Sequence, residues 1–597
     1  MTTNKQHKAP VIPMTTFKTD KPHTKTVQGD TGTFFVKEDG IYFAGFAKEG
    51  TPPTEKRICS KLDVLASTCD ESSHNHGVLL KWKDNRNVTH QWAMPKAFLA
   101  GETKDAVKPL YAGGLDIKAG RGNNQKIVEY IQSATPHQWL TCVSKTGWTN
   151  GVYVTANKVY GQEADKYILQ SESITTSATN QTTTLGTLEE WQAHISRYAV
   201  GNDRLLLAIC AAFAGALKKF SDVGNVILHF HGNSTDGKTT AARCAVSVLG
   251  SPDNLQLWKA TANGLESIAV KYNDSLLALD ELRQASPKEV GDIVYMLGNG
   301  RGKVRADKGG NAREAATWNV IGLSTGEITL SDYLKSEGKE VYAGQELRLL
   351  NIPSHAGAGF GVFTTLHGFS HSADLANHLN ASIHKYYGVA GDAWLERITQ
   401  DVDTLSAQVP SAITQFVASL GTISNQAKRA ARAFGLLATA GELATSYGIT
   451  GWREGEATQA CKTLFNVWLQ GFGTGNREEE QIYKAAVDFI QKNPNRFHLI
   501  YRPKDVNGVF YPNAEYQLNQ TQYLHNRVGF QKDGTYYVLL AQMKELALHS
   551  AYDSKAILKV LKARGFFVGD TSKPLRVTTF DNPIKVWEVS KDVLNAE

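Results

Sequence analysis

Residues 232–239 (GNSTDGKT) have the spacing G-x-x-x-x-G-K-T, preceded by the short apolar run 226–230 (VILHF) and followed by helix-forming residues at 240–249. Strand, glycine-rich loop and helix in that order make a phosphate cradle. The glycines let the backbone curl so that successive N–H groups along Gly232, Asn233, Ser234, Thr235, Asp236, Gly237 and Thr240 turn toward phosphate oxygens at a helix N-terminus. Lys238 would reach the β- and γ-phosphates, and Thr239 would ligate Mg²⁺. ATP and Mg²⁺ are therefore the expected ligands.

A cradle that only binds becomes hydrolytic when it gains a second metal ligand and a carboxylate that orients water. The run 275–281 (SLLALDE) offers both, because a buried parallel strand there would carry Asp280 and Glu281 at its C-terminal end, where α/β sheets place ligands. Asp280 would hold Mg²⁺ through its water shell, and Glu281 would polarise the attacking water. A third apolar run, 318–325 (WNVIGLST), would bring Ser324 or Thr325 beside the γ-phosphate as a sensor. Arg348, in 345–350 (QELRLL), could project into a neighbouring subunit's site and stabilise transition-state charge.

Between the second and third of these runs, residues 299–313 (NGRGKVRADKGGNAR) carry Arg301, Lys303, Arg305, Lys308 and Arg313 against Asp307, a local net charge of +4. The whole chain carries only +6. The pattern reads as a β-hairpin with Lys308 at its tip. Arg301, Lys303, Arg305 and Lys308 would then be contacts to a nucleic-acid backbone, single-stranded DNA in a central pore being the partner that suits them.

A chain of 597 residues with 42% hydrophobic and 20% charged residues can build several packed domains and is neither disordered nor collagen-like. Residues 1–30, rich in Thr and Lys and without an apolar stretch, read as a disordered tail rather than a secretion signal. Residues 31–170 read as a β-rich N-terminal domain. It contains a hairpin formed by 77–82 and 88–92 around the turn 84–87, and a helix at 124–133. The polar stretch 171–186 reads as a linker. Thr187 and Glu190 then stand at capping-box spacing and open the P-loop domain, 187–360. Residues 361–475 are Ala-rich and predict a helical bundle. Residues 476–597 predict an α+β region ending in a helix at 555–563 and strands at 566–568, 575–578 and 585–589, a winged-helix-like arrangement.

The longest apolar run, 205–217, is short of the ~20 residues of a membrane-spanning helix, so a buried core helix and no membrane association are expected. The scattered cysteines Cys59, Cys69, Cys142, Cys210, Cys244 and Cys461 form no C-x-x-C pair, which fits a reduced, cytoplasmic chain better than a disulfide scaffold. Cys59, Cys69, His74 and His76 match no zinc-finger spacing.

The stretches FHGNSTDGKTTAARCAVSVLGSP, WKATANGLESIA, LLALDELRQASPKEV, YMLGNGRGKVRADKG, WNVIGLSTGE and AGQELRLLNIP resemble a bacterial family of P-loop proteins of unknown function carried by phages, satellites and other mobile elements. That family is itself similar to superfamily-three and minichromosome-maintenance-type helicases of the AAA+ class. The resemblance runs from about residue 32 to 353. It implies an AAA+ fold, an ATP-driven, ring-forming DNA helicase or translocase acting as the replicative helicase of the element, replication-initiation proteins as partners, and a homo-oligomer expected to be a hexamer. Lys238 and Thr239 then fall at Walker A, Asp280 and Glu281 at Walker B, and Ser324 or Thr325 at sensor 1. Lys308 falls at the pre-sensor hairpin lysine, and Arg348 at a trans-acting arginine. Superfamily-three helicases commonly carry Asn at the sensor, whereas this strand ends Leu-Ser-Thr-Gly-Glu. Two other readings stay open at this point: a regulatory or defence ATPase that remodels a protein complex, and a DNA-binding initiator assembled by ATP. If the hairpin grips a strand, Lys308→Ala abolishes displacement of a forked duplex while basal ATP turnover persists; equal unwinding by variant and wild type would remove the hairpin from the mechanism.

Overall fold

The computed structural model describes residues 25–46, 54–171, 182–306, 312–313, 315–338, 343–472, 477–511, 515–518, 527–546, 554–569, 571–578 and 580–594. The chain divides into two compact units, 1–471 and 472–597. Residues 172–181 of the expected linker lie outside the described residues.

The first unit opens on two β-sheets. Lys25–Gln28, Gly32–Val36, Ile41–Gly45 and Lys56–Cys59 form an antiparallel sheet, and a five-stranded sheet is built around Leu62–Cys69 and Gly77–Lys83. The predicted hairpin is present as Gly77–Lys83 paired with Thr89–Pro95. Its turn is tied by Asp84, whose side chain accepts from Arg86 N and Val88 N at 2.8 Å each, while Asn87 takes φ 62°. Helix Asn123–Ser133 covers the sheets through Ile127, Val128, Tyr130 and Ile131.

The centre of the unit is a parallel sheet of β1 (Val226–His231), β2 (Gln256–Leu257), β3 (Ser275–Asp280), β4 (Val320–Gly326) and β5 (Leu349–Pro353), in the spatial order β2-β3-β4-β1-β5. Being covered on both faces, β1, β3 and β4 are continuous apolar runs rather than alternating ones. Helix α1 (Asp203–Leu217) is the predicted buried helix, with every residue from Arg204 to Leu217 buried. Helix α2 (Lys238–Leu249) lies beside it, α3 (Ala262–Lys271) and α4 (Val290–Asn299) flank the β2 and β3 side, and α5 (Ser372–Ile383) packs on α2. Long α6 (Asn425–Ser446) lies on α1, so the helices after residue 361 belong to the same compact unit as the sheet. The capping box at Thr187 and Glu190 is formed in both directions, at 2.9 and 3.2 Å.

A buried polar cluster joins the β-rich region to the N-terminal ends of β1, β3 and β4. Trp148 N donates to Asp274 Oδ2 at 3.0 Å and Tyr153 OH to Asp274 O at 2.8 Å. Asn319 Nδ2 donates to Asp274 Oδ1 at 2.7 Å, and Lys218 Nζ to Asn225 Oδ1 at 2.7 Å. Burial pulls the Lys218 ammonium down to about 8. Among the described residues no helix is long and apolar enough to cross a membrane, and all six cysteines are free.

In the second unit helix Ser554–Ala563 and the pair Lys573–Leu575 and Ile584–Glu588 follow the expected order, but that pair is the margin of a six-stranded sheet rather than an isolated wing. The expected strand at 566–568 is reduced to one bridge between Phe567 and Val589. Phe566 and Phe567 pack into the same core with ring centroids 5.0 Å apart, whereas successive side chains of a strand point to opposite faces.

Gly215 shows how closely α1 lies on the sheet: a Cβ there would come within 2.5 Å of the Ser275 carbonyl carbon. Gly215→Ala gains about 1 kcal/mol of helix propensity but must push α1 off a backbone that cannot yield, at about 1–3 kcal/mol. The expected outcome is a lowered thermal unfolding midpoint.

Candidate functional site

The phosphate-type loop connects β1 to α2. Gly237, with φ 86°, caps the helix, and Gly232 has φ 153°. Lys238 is buried and folds back over the loop, its Nζ donating to Gly232 O at 3.0 Å and Asn233 O at 2.5 Å. An ammonium so held keeps a further N–H for an anion. The backbone amides at the start of α2, with the helix dipole behind them, give the same place its affinity for negative charge.

The end of β3 meets this loop from the side. Thr239 Oγ1 donates to both oxygens of Asp280, at 3.2 and 3.3 Å, and Thr325 Oγ1 donates to Asp280 Oδ1. A hydroxyl and a carboxylate meeting at a phosphate cradle are oxygen donors of the kind Mg²⁺ takes alongside substrate phosphates and water, so Thr239 and Asp280 fit that ion. Glu281 follows at φ 62°, a conformation uncommon for a side-chain-bearing residue, and its N–H donates to Thr325 Oγ1 at 3.2 Å. Desolvation raises the Glu281 carboxyl above its ordinary range, and the neighbouring charges of Glu327 and Asp280 add to this.

The two sensor candidates separate. Thr325 faces Asp280, whereas Ser324 points into the interior. His229 Nε2 donates to Ile328 O at 3.0 Å, which makes Nδ1 the acceptor of the Ser324 hydroxyl at 2.8 Å. Ser324 Oγ in turn accepts from Trp258 Nε1 at 2.9 Å. Burial pushes His229 down to about 3, in keeping with a neutral ring.

Arg348 stands elsewhere. It precedes β5, at the opposite end of the sheet from the loop, about 16 Å away along five residues of strand. Its Nε and Nη2 donate to Asn299 Oδ1 at 3.1 and 2.8 Å, its Nη1 donates to Gly344 O at 2.7 Å, and its Cζ lies 4.2 Å from the centroid of the Tyr295 ring. It does not reach the phosphate loop of its own chain. At the same end of the sheet Arg305–Ala306 pairs antiparallel with Ala312–Arg313, and Arg301 bridges Thr317. The hairpin tip, with Lys308, lies outside the described residues. Lys303 and Arg301 are exposed, but Arg305 is spent on Glu266: two 2.9 Å bonds to a buried carboxylate, with a 2.8 Å bond to Asn263 Oδ1. Arg305 is exposed as well, but its guanidinium is engaged in clamping the hairpin base to α3, a partnership the charge count does not show.

Residues 34–317 match the family model described as domain of unknown function (DUF927). This is somewhat less than half of the chain. Among solved structures the chain is similar to one described as "SCCmec type IV Cch - active helicase", with a TM-score of 0.65, 16% identical residues, and coverage of 94% of this chain and 99% of that one. At that identity the likeness is one of fold, and it extends over both units. No curated protein matches the chain.

Sequence reasoning overlooked two partners at the site. Glu327 stands one residue beyond β4, bound by Arg283 Nη1 at 3.0 Å, and its charge acts on Glu281. Asp236 is held by Ser354, whose Oγ donates to Oδ2 at 2.6 Å from the end of β5. The acid directly after β4 was a visible signal for the first; no pattern signals the second, because its partner is 118 residues distant. Ser324→Ala would strip the buried Trp258 N–H of its acceptor and His229 Nδ1 of its donor, a cost of about 1–3 kcal/mol, read as a lowered midpoint in thermal unfolding.

Proposed function

We propose that the chain is an AAA+ ATPase that moves along DNA, the helicase of a mobile genetic element, working in the cytoplasm as a ring of identical subunits, with six as the expected number. The observation that carries this reading is the convergence of Lys238, Thr239, Asp280 and Thr325 at the C-terminal edge of one parallel sheet, with a strand inserted between those of the loop and the acidic pair. The likeness in fold to a structure described as an active helicase supports it.

In this reading the amides of 232–240 bind the phosphates of ATP and Lys238 reaches across the β- and γ-phosphates. Thr239 and Asp280 would hold Mg²⁺, which would neutralise charge developing on the phosphates. Glu281 orients the attacking water from a backbone conformation that turns its side chain past the end of β3. Thr325 fixes Asp280 and senses the γ-phosphate. Arg348 would serve the site of the adjacent subunit, after exchanging Asn299 and Gly344 for phosphate. The hairpin presents Lys308, Lys303 and Arg301 to one strand of DNA in the pore, while Arg305 anchors it. Replication-initiation proteins of the same element are the expected partners.

Single-stranded DNA is expected to accelerate ATP turnover by the full chain. Glu281→Gln should retain ATP binding and lose turnover by about a hundredfold or more. Turnover indifferent to DNA would favour a protein-remodelling ATPase instead.

A further inference from the structure

The phosphate loop is flanked on its β5 side by a glycine-rich strap to which nothing above gives a role. Residues 354–363 (SHAGAGFGVF) leave β5 and double back onto the loop. Besides the Ser354–Asp236 bond, Val362 N donates to Asp236 O at 2.8 Å. Gly361 has φ 65°, and a Cβ there would stand 2.3 Å from the Asp236 carbonyl oxygen, so only glycine permits the approach. Ala356 N donates to Gly361 O at 2.7 Å and closes the strap into a hairpin. Beneath the loop, Val362 and Phe363 are buried against Gly237.

The ends of the strap are fastened to α1 and the residue before it. Arg204, 6% exposed, gives Nε to Pro353 O at 2.7 Å and Nη2 to His355 O at 2.9 Å. Asn202 Oδ1 accepts from Thr364 N at 2.7 Å and Thr365 N at 2.9 Å. A buried guanidinium placed on two carbonyls fixes the strap's path firmly. What the strap then displays is Phe360, 37% exposed and one residue from the Gly361 contact with the loop.

A nucleotide with its phosphates over the start of α2 must send its base to one side. On the β3 and β4 side stand Asp280, Glu281 and Glu327, which suit a metal and water and offer a base no face to lie on. The β5 side offers the exposed aromatic ring of Phe360, carried on a strap whose backbone is held in place. We propose that the strap is the base-binding wall of this site, with Phe360 stacking on the purine ring of a nucleoside triphosphate. This rests on the reading of 232–239 as a nucleotide loop. Stacking on an aromatic face tolerates different bases, so the wall accepts adenine and guanine alike and holds the smaller pyrimidines less well.

The test is equilibrium binding to the full chain by calorimetry, with Mg²⁺, of ATP, CTP and inorganic tripolyphosphate. Phe360→Ala should weaken ATP about tenfold and narrow its advantage over CTP, leave tripolyphosphate unchanged, and be rescued by Phe360→Trp. Phe360 is at the surface, so an unchanged unfolding midpoint checks that the variant is folded. Wild-type affinity for ATP in Phe360→Ala, or equal weakening of ATP and tripolyphosphate, overturns the proposal. Lys238→Ala separates the two levels: if it weakens both ligands while Phe360→Ala does nothing, only the wall is refuted. If it changes neither ligand, the nucleotide loop fails and the wall with it.

Discussion

The arrangement depends on the placing of β4 between β1 and β3. Parallel pairing sets His229 opposite Ser324 on one side and Leu279 opposite Ser324 on the other. Strand side chains alternate, so this register turns Ser324 inward to His229 and Trp258 and brings Thr325 to Asp280. A slip of one residue would exchange them, leaving a buried imidazole and indole without partners and the carboxylate without its clamp. The interior hydrogen bonds of Ser324 thus define the geometry at the surface of the sheet.

The two ends of the same sheet carry different chemistries. The C-terminal edge gathers the glycine-rich loop 232–239, Asp280, Glu281 and Thr325, and the N-terminal edge gathers the basic hairpin and Arg348. Each feature at the N-terminal edge is tied to a regular element: Arg305 to α3 through Glu266, Arg348 to the end of α4 through Asn299, and the start of β4 to β3 through Asn319 and Asp274. β3 and β4 run from that edge to the acidic pair. The Asp274 cluster, at the start of β3, ties this edge of the sheet to the β-rich region through Trp148 and Tyr153.

Much of this was legible in the residues. The strand–loop–helix at 226–249, the buried α1, the acidic strand end and the Thr187 cap are set by local patterns: glycine spacing, apolar runs of strand length, and a hydroxyl followed three residues later by a carboxylate. The limits were equally physical. Charge counting treated Arg305 as equivalent to Arg301 and Lys303, because a sequence does not reveal that Glu266, on another helix, is buried beside it. The run 566–568 looked like a strand because aromatic residues favour strands, yet packing of two adjacent rings into one core overrode the propensity.

The sequence by itself determined which residues could bind phosphate, metal and water, since those capacities belong to residue types at short spacing. Only the tertiary structure decided which of them meet. Ser324 and Thr325 are equal as a pattern and differ once a sheet gives each a side; Arg348 is an ordinary arginine until β5 carries it to the far edge; Asp236 and Ser354 become a pair only because β1 and β5 are neighbours. Contacts between distant segments depend on strand order and burial, which arise from the balance of packing over the whole domain and leave no local trace.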